Sequence, residues 1–407
     1  MDILPILSTL RQHKITASLI VLEIALTCAI VCNAVFLINQ RMQRMNMPSG
    51  VAMHELVQVQ ISTIGEQPDA KARTQGDLAA LRQIPGVSAV ALVNQVPFTG
   101  ASFNSSIEMT RQQAQPTLNA TLYAGVGALQ TFGTRLIAGR YLRPDEFLWR
   151  DDMQRNPGLI PRAPSVVITH ALAERLWPGE SALGKGFYIG PVHVRVVGVV
   201  ESMIRPSLSW GDDTAQWSVM LPLRDTVGSG ASYVLRTAPH DRQRVIRAAV
   251  AALKKLDPKR VITEQRTLDD AHAKFFQGDR AMTSLLFGVI VALLLVTGLG
   301  IVGLASFWVA QRRRTIGVRR ALGATRADIL HYFQTENFLL ATLGIALGMV
   351  LAYGINLLLM THYELPRMPL FYLPVGALAL WLIGQLAVLG PALRASRVPP
   401  VVATRTV

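Results

Sequence analysis

The order of hydrophobic and polar positions divides the chain into two kinds of segment. Four apolar runs, 15–38, 282–310, 338–360 and 371–393, are each long enough to cross about 30 Å of hydrocarbon at about 1.5 Å per residue, and they predict membrane helices. The interval 39–281 is of mixed composition and long enough to bury a core of its own. Within it, period-two alternation at 55–62 and 87–93 predicts strands, and the helical spacing of Leu78, Leu81 and Ile84 predicts a helix over 72–84. Polar 99–118 reads as a loop or peripheral hairpin, and 148–163, with Asn156-Pro157-Gly158 and Pro161, as an insertion. Further strands are predicted at 165–169, 192–200, 217–221, 232–236 and 260–265, and helices at 171–177 and 241–256. Proline-free 269–280 predicts one continuous helix into the second span, and 40–47 an extension of the first, which together would make a helical stalk. The fold class that follows is a membrane α-helical protein with four transmembrane helices and an inserted α+β extracytoplasmic domain.

Segment 311–330, Q-R-R-R-T-I-G-V-R-R-A-L-G-A-T-R-A-D-I-L, links the second and third spans. It sets Arg312, Arg313, Arg314, Arg319, Arg320 and Arg326 against Asp328 alone, and a short loop of that bias is retained in the cytoplasm. On this basis 1–14, 311–330 and 394–407 are cytoplasmic, 15–38, 282–310, 331–360 and 371–393 are in the membrane, and 39–281 and 361–370 are outside. Gly323 suits the end of a helix at Leu322, and Thr325 with Asp328 suits the cap of the next. The short helix predicted over 315–322, with apolar Ile316, Val318 and Leu322, either docks into a partner's groove or rests on lipid headgroups.

Three features lie inside the spans. Gly344, Gly348 and Ala352 recur every fourth residue, a small-xxx-small row that marks a packing seam within the subunit or across a dimer. Glu23 reads as the one acidic residue well inside a span and would cost at least about 2.5 kcal/mol facing lipid. It either pairs with a polar group on another helix or subunit, or snorkels or is protonated. Cys28 and Cys32, one helical turn apart, read as small packing residues, with no disulfide framework or zinc site implied.

The net charge of +14 changes the picture little, because it gathers at the membrane flanks, with Arg11, Lys14, Arg394, Arg397 and Arg405 joining the hinge. It reads as an orientation signal and attraction to anionic lipid, not as a nucleic-acid surface. Segment 179–186, G-E-S-A-L-G-K-G, misses the phosphate-loop pattern by its final hydroxyl and follows a predicted helix where a strand is required. No H-E-x-x-H, C-x-x-C or G-x-S-x-G occurs. The acidic pairs Asp145-Glu146, Asp151-Asp152 and Asp212-Asp213 read as solvated surface, and Trp210, Trp217 and Tyr233 as packing residues in preference to a recognition surface. No catalytic, cofactor or metal site is predicted.

The hinge, R-R-R-T-I-G-V-R-R-A-L-G-A-T-R-A-D-I, strongly resembles that of MacB/FtsX-type ABC transporter permeases. So do Ile137–Arg140 with Asp145 (I-A-G-R…D), 166–184 followed by 196–200 (V-V-I-T-H-A-L-A-E-R-L-W-P-G-E-S-A-L-G…V-V-G-V-V), and 391–405 (P-A-L-R-A-S-R-V-P-P-V-V-A-T-R). The resemblance implies a bacterial inner-membrane permease that forms a homodimer, or a heterodimer with a second permease. It also implies docking on two cytoplasmic ABC ATPase subunits, expected as separate polypeptides, which use ATP while this chain binds no cofactor. Ile316, Gly317, Arg319, Arg320, Ala321, Leu322 and Gly323 would form the coupling element, and Arg394, Arg397, Pro399 and Pro400 the C-terminal signature. The implied work is export or extraction of a peptide, antibiotic, toxin or lipid-linked cargo on the far side of the membrane, with a periplasmic adaptor where an envelope must be crossed. An FtsX-like signalling anchor that activates an extracytoplasmic partner such as a cell-wall hydrolase is the alternative, and the large inserted domain favours transport. The family's usual acids are replaced by Thr315 and Val402, which implies altered ATPase contacts or pairing with a more typical permease.

Overall fold

The computed structural model describes residues 14–62, 69–111, 113–208, 214–227, 231–363 and 367–397. Arg11, Trp210, Asp212, Asp213, Pro399, Pro400, Val402 and Arg405 lie outside the described residues. The chain forms two compact units, residues 47–277 and the two flanking segments together.

The 47–277 unit carries β1 (Leu56–Ser62), β2 (Val87–Val93), β3 (Asn104–Glu108), β4 (Leu118–Ala124), β5 (Leu136–Gly139), β6 (Leu148–Trp149), β7 (Ser165–Thr169), β8 (Gly186–Ile189), β9 (Val192–Val200), β10 (Ser218–Leu221), β11 (Leu223–Arg224), β12 (Ser232–Thr237) and β13 (Val261–Thr267). An antiparallel sheet of order β13-β1-β12-β2 buries Val57, Val59, Tyr233 and Leu235 in one cluster with Leu81 of helix Ala70–Arg82 and with Val245, Ala249 and Leu253 of helix Arg242–Leu256. Beneath these helices Asp77 accepts hydrogen bonds from Arg260 Nη1 at 2.5 Å and the Tyr233 hydroxyl at 2.6 Å. All three polar groups therefore meet partners out of water, as burial requires. Burial, with Asp77 beside it, pushes the Tyr233 phenol well above its usual range.

The second sheet has the order β5-β9-β7-β10-β4-β3-β8, and an added β9–β8 pairing closes β9-β7-β10-β4-β3-β8 into a ring. The long strand β9 makes this closure possible: β7 runs along one edge, while the other edge takes β8 at 192–195 and β5 at 198–200. Alternate residues such as Leu118, Ala120 and Leu122, or Val194 and Val196, supply the buried interior, following the period of two.

Three expectations are refined here. Polar 99–118 is a hairpin arm, β3 paired antiparallel with β4, and Ile107 and Leu118 are its buried residues. Segment 148–163 is an insertion with structure of its own: β6 pairs with β11, and helix Arg150–Arg155 follows. The continuous helix expected over 269–280 is corrected: helix Leu268–Phe275 ends at Phe276, and a new helix, Gln277–Gln311, begins beyond it. Phe276 is buried against Phe98, His272 and Phe275, and leaving the helical path keeps its ring in that cluster. Segment 179–186 follows helix His170–Leu176 and is a turn in which Lys185 pairs with Glu180.

In the other unit, helices Lys14–Met45, Gln277–Gln311, Arg326–Tyr363 and Tyr372–Ser396 are long and apolar enough to cross a membrane. The first is the hub, with 61% of its most apolar stretch buried against 17% for the second, so the second presents most of its surface outward. The small-residue row faces the first helix of the same chain. A Cβ on Gly344 would stand 2.8 Å from Ile24 Cβ, one on Gly348 would stand 2.5 Å from Cys28 Cβ, and Ala352 is fully buried. These residues let the third helix lie backbone to backbone on the first, where Asn33 Nδ2 donates to the carbonyls of Ala29 and Ala352. Cys28 and Cys32 are buried free thiols on that face, with Cys32 seated over Gly376.

Candidate functional site

The hinge between the second and third membrane helices is a helix, Arg313–Ala321, with a distinct break at each end. Arg312 leaves the helical path at φ −100° and ψ 12°. Its guanidinium donates to both Glu336 carboxylate oxygens at 3.1 Å and lies over the Trp308 ring at 5.5 Å. At the other end the Leu322, Gly323 and Ala324 amides donate back to Val318, Arg320 and Arg319. Gly323 takes φ +99° with no atom near where a Cβ would sit, so conformation and not space requires glycine there. The next helix opens with the expected box: the Thr325 amide and hydroxyl donate to Asp328 Oδ2 at 2.9 and 2.6 Å, and the Asp328 amide donates to Thr325 Oγ1 at 3.2 Å.

The seven residues carried over by resemblance occupy two faces. Ile316 and Gly317 are buried, Ile316 in the same cluster as Ile329 and Phe333, so they fasten the hinge helix to its own bundle instead of forming a contact surface. Arg320 also turns inward, donating to the Ser396 carbonyl of the fourth membrane helix at 3.1 Å. Arg319, Ala321, Leu322 and Gly323 are exposed, as are Val318 at 44% and Leu322 at 83%. Arg319 also stacks over Tyr332 at 4.7 Å. Arg313, Arg314 and Arg326 stand in solvent, whereas Arg312 and Arg320 are structural, so the basic cluster does two jobs. The outer surface can therefore offer an apolar tip, Val318 and Leu322, within a basic rim.

Glu336 is the residue that sequence reasoning missed. It is 1% exposed on the third helix and forms an ion pair with Arg312, so Glu23 is not the only acid deep in the bundle. The available signal was Glu336-Asn337 entering an apolar run shortly after an arginine cluster with few acids to balance it. Glu23 is half-buried, with its carboxyl group against Gly300 of the second helix, where a Cβ would stand 2.7 Å from Oε1. At the opposite end, Arg41 and Arg44 of the first helix converge on Asp279 of the second at 2.5 and 3.2 Å. That pair of contacts clamps the two helices together just beyond their apolar stretches. Among the described residues no group of three or more His, Cys, Asp or Glu side chains is placed to hold a metal ion.

Comparison with known families agrees with this arrangement. The MacB-like periplasmic core domain profile matches residues 18–256, and the FtsX-like permease C-terminal profile matches residues 287–400. The chain is 27% identical over 353 residues to the macrolide export ATP-binding/permease protein MacB of Pasteurella multocida (strain Pm70), covering 83% of this chain and 49% of that protein. It is 27% identical over 251 residues to an uncharacterized ABC transporter permease, YvrN, of Bacillus subtilis (strain 168), covering 59% of this chain and 61% of that one. The chain thus spans about half the length of the MacB relatives it matches. The periplasmic region of MacB from Actinobacillus actinomycetemcomitans aligns with 56% of this chain and 95% of its own at 15% identity and a TM-score of 0.34, too loose a likeness to carry an argument. With the periplasmic-core profile alone spanning more than half of its length, this chain belongs to the MacB-like ABC transporter permease family, in which a periplasmic-type core domain is joined to an FtsX-like membrane domain.

Proposed function

We propose that the chain is the membrane subunit of an ABC transporter and exports or extracts cargo on the outer side of the bacterial inner membrane, with both termini and the hinge cytoplasmic. An ABC ATPase subunit docks on the hinge helix, hydrolyses the ATP and drives the spans. The chain itself works mechanically and acts as half of a dimer, with an identical or a second permease. The observation that carries this reading is the divided hinge: Ile316, Gly317, Arg312 and Arg320 bind it into the bundle, while Val318 and Leu322 project outward. A helix fastened on one face and presenting an apolar tip in a basic rim on the other suits insertion into a groove, and its inner contacts pass force to three membrane helices. Thr315 is exposed, so the loss of the family's glutamate there bears on the docking face and not on the bundle.

Purification of the tagged chain in mild detergent, followed by identification of co-purifying chains and an ATPase assay, tests the proposal. An ATPase should be recovered with the wild-type chain. Leu322→Asp should lower its recovery at least tenfold while membrane insertion persists. Gly323→Pro should retain some ATPase but uncouple hydrolysis from export. Wild-type coupling in both variants would remove the hinge from the mechanism.

A further inference from the structure

We propose that the extramembrane unit holds a binding site for a small apolar molecule, an uncharged or charge-indifferent amphiphile whose chain enters the mouth of the strand ring. The ring of β9-β7-β10-β4-β3-β8 is filled by its own side chains over most of its length, but at one end the interior residues Leu122, Val194 and Leu221 face a cavity of about 520 Å3. Leu148, Met153 and Ile160 of the inserted segment form the opposite wall. Both walls are apolar, and the size lies within the range of small-molecule sites, for which barrel mouths are a common location.

The insertion is pinned beside the ring by polar and backbone contacts, so the walls of the space are fixed. Arg150 is paired through Nε to Asp225 at 2.5 Å, Lys71 to Asp152 at 2.5 Å, and β6 to β11 through backbone hydrogen bonds. The pocket opens to solvent, so an apolar chain can enter it and cover the wall residues Leu122, Val194, Met153 and Ile160. Charge on the lining defines its chemistry. Glu146 spends its oxygens on Arg140, the Arg143 amide and the Ser165 hydroxyl, and Arg150 spends its guanidinium on Asp225. Asp145 stands mostly in solvent, with Arg143 at 3.8 Å. No lining charge demands a counter-charge, so selection is by apolar fit. The site is independent of ATPase docking and would exist in a chain that does not transport.

The test is photolabelling of the full chain in membrane vesicles with a diazirine-bearing twelve-carbon alcohol, followed by peptide mapping. Labelling of the membrane helices is the internal reference. The expected result is additional labelling at the peptides containing Met153 and Ile160, displaced by excess dodecanol, and changed less than threefold when the probe head is an amine or a carboxylate. Met153→Trp, which fills the space, and Met153→Glu, which charges it, should each reduce that labelling at least tenfold while the reference persists, and Met153→Leu should retain it. Labelling confined to the membrane helices, labelling that neither substitution reduces, or a tenfold preference for one charged head would overturn the proposal.

Discussion

At the residue scale, two buried contacts carry more consequence than their positions in the sequence suggest. Arg312 and Glu336 form a largely buried ion pair, and removing either partner leaves an uncompensated charge. Arg312→Met or Glu336→Met alone is expected to cost about 3–5 kcal/mol, while combining the two should recover most of it, as a double-mutant cycle on thermal unfolding in detergent would show. Gly348 is limited by space: a Cβ would stand 2.5 Å from Cys28 Cβ and 2.7 Å from the Ala25 carbonyl oxygen, both parts of a closely packed helix. Gly348→Ala should therefore lower stability by about 1–3 kcal/mol. Gly303→Ala on the second helix, where nothing lies near, should be neutral in the same assay. Gly348 was legible because a four-residue interval of small residues encodes close approach. Glu336 was not, because its importance depends on which arginine the fold turns inward to meet it.

At the scale of elements, the insertion 148–163 and the 3-10 turn before it are held by polar contacts. The Arg140 guanidinium, with the Arg143 amide and Ser165 hydroxyl, holds the Glu146 carboxyl down at about 2 against an ordinary value of 4.5. A carboxyl with a depressed folded-state pKa contributes stability above its unfolded value and loses it as pH falls through the folded one. Acidification from about pH 4.5 toward about pH 2 should therefore loosen this region, and Glu146→Gln should flatten that part of the profile. Hydrogen exchange of the β7 and β9 amides against pH would record both. Strands β1, β2, β7, β9, β10, β12 and β13 were read from period and turn residues, whereas β4, β5 and β8 of the ring were not. The break at Phe276 was not, since no proline marks it, Gly278 lies inside the helix that follows, and an aromatic cluster made with distant Phe98 surrounds Phe276.

At the scale of the whole molecule, the hinge and the Arg41–Asp279–Arg44 clamp lie toward opposite ends of the second membrane helix. If the spans transmit work between the two membrane faces, the clamp keeps the first and second helices moving together. Asp279→Ala should leave insertion and ATPase recovery intact but reduce export per ATP hydrolysed severalfold. Equal coupling ratios in wild type and variant would refute that role. The loss should not resemble that of Leu322→Asp, which acts on recovery of the ATPase.

The four helices long and apolar enough to cross a membrane, the unit inserted between the first and second of them, and the hinge's caps were legible in sequence alone, because each rests on local physics: apolar length, a left-handed glycine and a three-residue capping interval. What only the tertiary structure decided are matters of pairing between residues far apart in the chain. It turned Ile316, Arg312 and Arg320 inward and left Leu322 outside, set the seam of Gly344, Gly348 and Ala352 against the first helix, and closed a ring of strands over a cavity that no run of residues announces. Hydrophobic period shows that a face is buried, but the partner of that face is chosen by the packing of the whole chain.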